Sequence, residues 1–110
     1  MEISFENKNL RQLCESQNKA KTQLGKALAI RLKTFLADLD VIENVNELIS
    51  GRIYSVKLEN NILIIEPSND LKITFSANHI NLPLSADDKV DWSRVTRIKI
   101  IEIQQNNDKK

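Results

Sequence analysis

Three basic side chains in the second half of the chain are the most interesting candidates for a functional surface. Arg52, Lys57 and Lys72 fall on neighbouring segments that alternate like strands of one sheet. If Lys57 and Lys72 project to the same face, they form a small cationic floor. The alternative is an ordinary solvated sheet face. The irregular alternation over residues 52–58 leaves this register open.

The chain contains only one cysteine and one histidine, so it offers few side chains for metal binding or thiol chemistry. This pair does not make a ligand cluster with metal-site spacing, so no metal and no other cofactor is predicted. Cys14 shares a helical stripe with Leu10 and Leu13 and is predicted to be a packed core thiol. His79 is predicted to be a solvated loop histidine.

The segment 77–93 is long and irregular for a small domain, which is a feature of functional loops. Its adjacent pair Asp87 and Asp88 lies in a predicted turn, where two carboxylates rarely keep the fixed geometry of an acid–base pair. Trp92 is predicted to fold onto the core of its own chain, with the anchoring of a partner as the alternative. A glycine-rich phosphate loop and a nucleophile elbow are both absent from the sequence.

The first half of the chain must supply a helical layer. Glu2–Phe5 alternates like a short strand, and Asn7 can cap the helix that follows. Apolar spacings of three, four and seven predict two helices, at about residues 7–23 and 26–39, hinged at Gly25. A single bent helix is the alternative. One further helical turn is predicted within residues 45–49.

The second half changes to a period of two, which is typical of strands. Residues 52–58 begin a meander, and Asn60-Asn61 suits a two-residue turn. Residues 62–65 are apolar throughout and are predicted to be a strand covered on both faces. Residues 67–70 are turn-forming at every position.

Two strands complete the predicted sheet. Residues 71–76 alternate cleanly, with one apolar face for the core and Lys72 on the opposite face. In the last strand, residues 95–103, the alternation slips. Either a β-bulge lies near Ile100-Ile101, or both faces are covered there.

The predicted fold class is α+β, an N-terminal strand and a helical hairpin packed on one face of an antiparallel-rich sheet. With 110 residues the chain is predicted to form one domain, residues 1–104, followed by a polar tail, residues 105–110. The net charge of +1 gives no bulk argument for nucleic-acid binding. The acidic N-terminus shows no leader, no apolar run is long enough to span a membrane, and a single cysteine fits a reducing compartment, so a cytoplasmic location is predicted.

Four segments in this order resemble the RelE/HigB-like toxins of bacterial toxin–antitoxin modules, in the branch called plasmid-maintenance killer proteins. They are LGKALAIRLKTFLADL, ISGRIYSV, NDLKITF and VDWSRVTRIKIIEI, and the resemblance covers about residues 3–103. It implies a RelE-like fold and a metal-independent endoribonuclease that cuts messenger RNA on the ribosome. In that chemistry the RNA's own 2′-hydroxyl attacks the adjacent phosphate, assisted by a base, by cations and by an acid. A cognate helix-turn-helix antitoxin is the implied partner.

The resemblance places the catalytic positions at Arg52, Tyr54, Lys57 and Lys72, with several departures. The family pattern Gly-Arg-x-His reads Gly-Arg-Ile-Tyr here, so Tyr54 replaces a histidine and needs a lowered pKa to act as acid or base. Lys57 is kept, but the arginine of the following basic loop is lost. Lys72 stands for an arginine and lacks its bidentate fork.

The end of the chain departs further, and two functions follow from these losses. The family often ends in Asp-Tyr-His, whereas Gln105, Asn106 and Asn107 stand there and cannot titrate. The leading prediction is a toxin that retains a degenerate ribonuclease site. The alternative is a catalytically silent relative that binds the antitoxin and helps to repress its operon.

Overall fold

The computed structural model describes residues 1–51, 54–59, 61–79 and 81–105. Within these ranges it has the predicted α+β class, with four α-helices, a 3-10 turn and one five-stranded mixed sheet. The elements are β1 (Glu2–Phe5), α1 (Lys8–Glu15), α2 (Gln17–Leu24), α3 (Lys26–Val41), α4 (Val45–Gly51), β2 (Ser55–Glu59), β3 (Ile62–Ser68), β4 (Leu71–Ala77), the 3-10 turn Trp92–Arg94 and β5 (Arg97–Gln105).

The sheet order is β1-β5-β4-β3-β2. The N-terminal strand β1 runs parallel to the last strand β5, and the other neighbours are antiparallel. The first and last strands therefore lie side by side, which brings the N-terminal helices over the sheet formed by the second half.

The predicted helix over residues 7–23 is wrong as a single element. Asn7 caps α1 as expected, because its Oδ1 accepts from the backbone N–H of Leu10 at 2.9 Å. Ser16 then leaves the helical region, with φ −110° and ψ 114°, and its hydroxyl caps α2 by accepting from the N–H of Lys19. A serine hydroxyl competes well for backbone donors, so this one residue ends one helix and starts the next.

The hinge at Gly25 is confirmed, and the alternative of one bent helix is excluded. Gly25 has φ +89° and ψ 162°, a region that side chains other than hydrogen strongly disfavour. It ends α2 and precedes α3, so the two helices fold back on each other and pack together. The predicted turn within residues 45–49 is a seven-residue helix, α4.

Of the two alternatives predicted for the slip near Ile100-Ile101, the β-bulge is the one that the structure shows. Thr74 pairs with Glu102 and Phe75 pairs with Ile100, so Ile101 is the extra residue on β5. The turn predicted over residues 67–70 is shorter than expected, since Pro67 and Ser68 still belong to β3. Asn61 lies in the turn between β2 and β3, whereas Asn60 lies outside the described residues.

The core lies between the helices and one face of the sheet. Phe35 of α3 and Phe75 of β4 are both fully buried, with ring centroids 6.2 Å apart. Leu63 and Ile65 join them. Residues 62–65 are not covered on both faces as predicted, because Ile62 and Ile64 on the other face of β3 stay half-buried. Trp92 packs into the core, as predicted.

None of the helices in the described ranges combines the length and the apolar character that crossing a membrane requires.

Candidate functional site

Lys57 and Lys72 share one face of the sheet, which the sequence alone left open. Lys57 pairs with Ile64, and Ile64 pairs in turn with Thr74. Lys72 is two residues before Thr74 on β4 and therefore projects to the same side. This is the face away from the helices, referred to below as the open face.

A depression of about 220 Å³ lies between the two lysines. Ser55, Ile64 and Glu66 line it together with Lys57 and Lys72. Glu66 is two residues beyond Ile64 on β3 and pairs with Ser55, so its carboxylate projects between the two ammonium-bearing strands. In the part of the chain that the structure describes, neither lysine has a carboxylate within ion-pair distance.

Sequence reasoning missed Glu66. The usable signal was its spacing of two from Ile64, but the apolar run of residues 62–65 hides which parity faces outward. Once the register is known, the depression holds a carboxylate that can accept a proton and two cations that can stabilise an anion or donate a proton. These are the functional types that metal-independent cleavage next to a 2′-hydroxyl requires.

Tyr54 does not join this group. Its ring lies edge-on to Phe35, with centroids 5.0 Å apart, and its hydroxyl donates to a carboxylate oxygen of Asp38 on α3. Burial and the hydrogen bond to Asp38 raise the pKa of Tyr54 to about 12. A role as general acid or base needs a lowered pKa, so both the position and the shift of Tyr54 oppose the role that the family pattern predicted.

The remaining predicted positions lie at the limits of the described chain. Arg52 lies outside the described residues, as do Asn106 and Asn107. Gln105, predicted to begin a polar tail, is instead the last residue of β5 and donates from Nε2 to the carbonyl of Leu24 at 3.2 Å. Its amide therefore has a structural contact to the end of α2.

The side chains of Cys14 and His79 both have structural roles. Cys14 packs against the core as predicted, and burial raises the pKa of its thiol to about 12, which disfavours the nucleophilic thiolate. His79 is not the solvated histidine that was predicted. Its Nε2 accepts from the backbone N–H groups of Thr96 and Arg97, at 3.1 and 3.3 Å, and so ties the loop to the start of β5.

Elsewhere on the open face, at the β1–β5 side of the sheet, charges of both signs are paired. Arg97 pairs with Glu2 at 3.1 Å, and Lys99 pairs with Glu6 at 3.2 Å. These exposed pairs contribute little to stability, but they neutralise cations that RNA would otherwise meet. Among the described residues, no three His, Cys, Asp or Glu side chains are grouped so that they could hold a metal ion.

Asp87, in the loop before the 3-10 turn, also has a local role. It accepts a hydrogen bond from the hydroxyl of Ser85, and this bond lowers the pKa of the carboxyl below its usual range. Its neighbour Asp88 takes a positive φ of 63°. Both belong to a tight turn closed by the bridge between Leu84 and Val90. The pair is a turn feature rather than an acid–base pair.

Comparisons of the chain with models of protein families, with curated proteins and with solved structures gave no match.

Proposed function

We propose that the chain is the toxin component of a RelE/HigB-like toxin–antitoxin module, a cytoplasmic endoribonuclease that cuts messenger RNA on the ribosome. The observation that carries the proposal is the depression in which Lys57, Glu66 and Lys72 lie together. The order of elements, with one strand and a helical hairpin before a meander, also agrees with the fold that the resemblance implies.

The chemistry assigns one role to each type of group. Glu66 accepts the proton of the RNA 2′-hydroxyl, and the resulting oxygen attacks the neighbouring phosphorus. Lys57 and Lys72 stabilise the charge that develops on the phosphate oxygens, and one of the two ammonium groups protonates the departing 5′-oxygen. The products are a 2′,3′-cyclic phosphate and a free 5′-hydroxyl. In this scheme Tyr54 is a structural residue.

A second function is favoured by the mixed charge of the open face and by the orientation of Tyr54 toward Asp38. It is a catalytically silent relative that binds a cognate helix-turn-helix antitoxin and helps to repress the operon. This protein would keep the same fold but would not cleave RNA.

Expression of the full chain in bacteria tests the two functions. The nuclease is expected to arrest growth and to produce ribosome-dependent cuts in messenger RNA. Glu66→Gln and the double variant Lys57→Ala/Lys72→Ala should each lower cleavage by about 100-fold or more. Tyr54→Phe should cleave like the parent. Glu102→Gln is the matched control, because Glu102 lies on the same face, opposite Thr74, but outside the depression.

Each outcome decides between the functions. Normal growth with abundant soluble chain, together with no ribosome-dependent cleavage, supports the silent relative. In that case the product of the adjacent gene should copurify with the chain, and the complex should bind operator DNA more tightly than the antitoxin alone. Arrest that survives Glu66→Gln would contradict the site assigned here.

A further inference from the structure

The solvent-facing side of α3 carries an apolar stripe that the described chain leaves largely exposed, with Tyr54 and Pro67 bordering the end of the stripe at Ile30. Ile30 and Val41 are among the exposed large hydrophobic residues, at 50% and 78% exposure. They are separated by three turns, and at about 100° per residue they lie on the same line of the helix. Thr34 and Ala37, both exposed, lie between them. The stripe runs along the outer side of the helix, opposite the fully buried Phe35 and Leu39.

Charges flank this stripe in a regular pattern. Arg31 and Lys33 lie in the N-terminal half of α3, and Asp38 and Asp40 lie in its C-terminal half. Arg31 and Asp40 are equally distant from the peptide bond between residues 35 and 36, and so are Lys33 and Asp38. Ile30 and Val41 are centred on that same bond, as are Thr34 and Ala37. The pattern is therefore symmetric in position and opposite in charge.

The same separation extends along the chain. Residues 16–37 carry five basic side chains and no acidic one, whereas residues 38–51 carry four acidic side chains and no basic one. Within α3 this order opposes the helix macrodipole, which favours anions at the N-terminus and cations at the C-terminus. The arrangement does not help α3 as an isolated helix, so its use must lie elsewhere.

Most of these charges have no ion-pair partner among the residues that the structure describes. In the ranges that the structure describes, Arg31, Lys33 and Asp40 are exposed and have no ion-pair partner. Asp38 is half-buried and one of its oxygens accepts from Tyr54, which leaves the other oxygen for a second donor.

We infer that α3 pairs with the α3 of a second copy of this chain in an antiparallel, two-fold symmetric dimer. In such a pair each flank of the stripe faces the same flank of the partner helix. Arg31 and Asp38 lie on one flank, so Arg31 faces the partner's Asp38. Lys33 and Asp40 lie on the other flank, so Lys33 faces the partner's Asp40. Each pair is offset by two residues, or about 3 Å along the axis, which long side chains bridge.

The apolar stripe forms the seam of this dimer. Ile30 packs against the partner's Val41, and the smaller Thr34 and Ala37 let the helices approach near the two-fold axis. A contact through one helix is at the small end of specific interfaces. The dimer is therefore weak, with a Kd of about 10–100 µM, and it weakens further in high salt.

Charge reversal in two separate variants tests this pairing. Lys33→Asp and Asp40→Lys each place like charges across the seam, so each alone should dimerise at least about tenfold more weakly in sedimentation velocity. Circular dichroism melts confirm that each variant is folded.

Mixing the two variants in equal amounts should restore the pairing in a heterodimer. One chain then carries acidic side chains at both positions 33 and 40, and the other carries basic side chains at both, so opposite charges meet at each end of the seam. The Kd of this heterodimer should return to within about threefold of the parent value. The double variant Lys33→Asp/Asp40→Lys in one chain should also self-associate.

A cross-link gives independent geometry. On a Cys14→Ser background, Ala37→Cys lies close to the two-fold axis and should form a disulfide-linked dimer under mild oxidation. Glu102→Cys, on the open face, is the matched control and should not form one.

A parent chain that stays monomeric up to about 1 mM, well above the Kd range expected of so small an interface, overturns the proposal. So does a dimer that neither reversal weakens, or a mixture that fails to associate. If Val41→Asp blocks antitoxin binding and leaves self-association intact, this side of α3 belongs to the antitoxin and the proposal fails.

Discussion

The two faces of the sheet have the same strands but opposite chemistry. On β4 the buried Leu71, Ile73 and Phe75 face the helices, and the half-exposed Lys72 and Thr74 between them face away. The covered face holds the fold together, and the open face groups Lys57, Glu66 and Lys72 around the depression. A strand thus serves stability and chemistry with alternate residues, and a functional set can be assigned only after each residue has been given its face.

The largest difference in the free energy of unfolding should appear between substitutions of two adjacent residues of β4. Phe75→Ala opens a cavity in a fully buried position and should lower the free energy of unfolding by about 3–5 kcal/mol. Thr74→Ala, on the open face, should change it by less than about 1 kcal/mol. Urea denaturation measures both. Similar losses in the two variants would mean that the open face is also packed. Phe75→Leu provides a milder change if the alanine variant does not fold.

The hinge that folds the helical layer over the covered face should be the next most sensitive point. Gly25→Ala has open space for its methyl group, yet the backbone at φ +89° and ψ 162° disfavours any side chain. We expect a loss of about 1–3 kcal/mol in the free energy of unfolding. Lys26→Ala, one residue later in helical geometry, is the control and should change it by less than about 0.5 kcal/mol. Equal effects would show that strain at the hinge is unimportant.

A substitution of Tyr54 tests whether its side chain lies on the covered side of the sheet, against α3. Tyr54→Phe keeps the ring against Phe35 and removes the hydrogen bond to Asp38, so we expect a loss of about 1 kcal/mol at pH 7. The pKa of Tyr54 is raised from 10.0 to about 12 in the folded chain. The stability that this bond supplies is therefore fully present below pH 10 and is lost as pH rises toward 12.

The difference between parent and Tyr54→Phe isolates this titration. The thiol of Cys14 also has a raised pKa, so the parent alone loses stability from more than one group at high pH. Urea denaturation of both chains from about pH 8 to about pH 12 should show their stabilities converging above about pH 10. A constant difference across that range would contradict the hydrogen bond to Asp38.

The smallest effects on stability should come from the depression itself. Lys72→Ala and Lys57→Ala should each change the free energy of unfolding by less than about 0.5 kcal/mol, because neither lysine takes part in an ion pair within the described chain. Thermal melts of the two variants check this directly. A loss above about 1.5 kcal/mol would assign these lysines to the fold rather than to a site.

Periodicity predicted most of the elements, and it failed where one polar side chain decides the backbone. The alternation over residues 71–76 and the slip at Ile100-Ile101 predicted β4 and its neighbour correctly. Ser16 broke a helix whose apolar spacing continues across it, because the spacing does not register a hydroxyl that bonds to the backbone. Sequence patterns report burial well, but they do not report local competition for hydrogen bonds.

The candidate site was harder to predict because it depends on register between strands. Lys57 and Lys72 are fifteen positions apart in sequence, and only the pairing through Ile64 places them together. The pattern taken from the family placed Tyr54 with them. The structure places Tyr54 on the opposite side of the sheet from the two lysines. Tyr54 comes just before β2, and its side chain contacts Phe35 and Asp38 of α3.

The extra residue Ile101 changes which residues of β5 face the core, from even-numbered positions before it to odd-numbered positions after it. Before it, Ile98 and Ile100 face the core, and after it Ile103 does so again although it has the other parity. If Ile101 were instead paired in regular alternation, without a bulge, Glu102 and Gln104 would point toward the helices and Ile103 would point to solvent. The same shift sets the direction of the end of the strand, so that Gln105 reaches the carbonyl of Leu24. Deleting Ile101 would therefore join Ile100 directly to Glu102 in regular alternation, so Ile103 would still face the core and only the bulge would be lost.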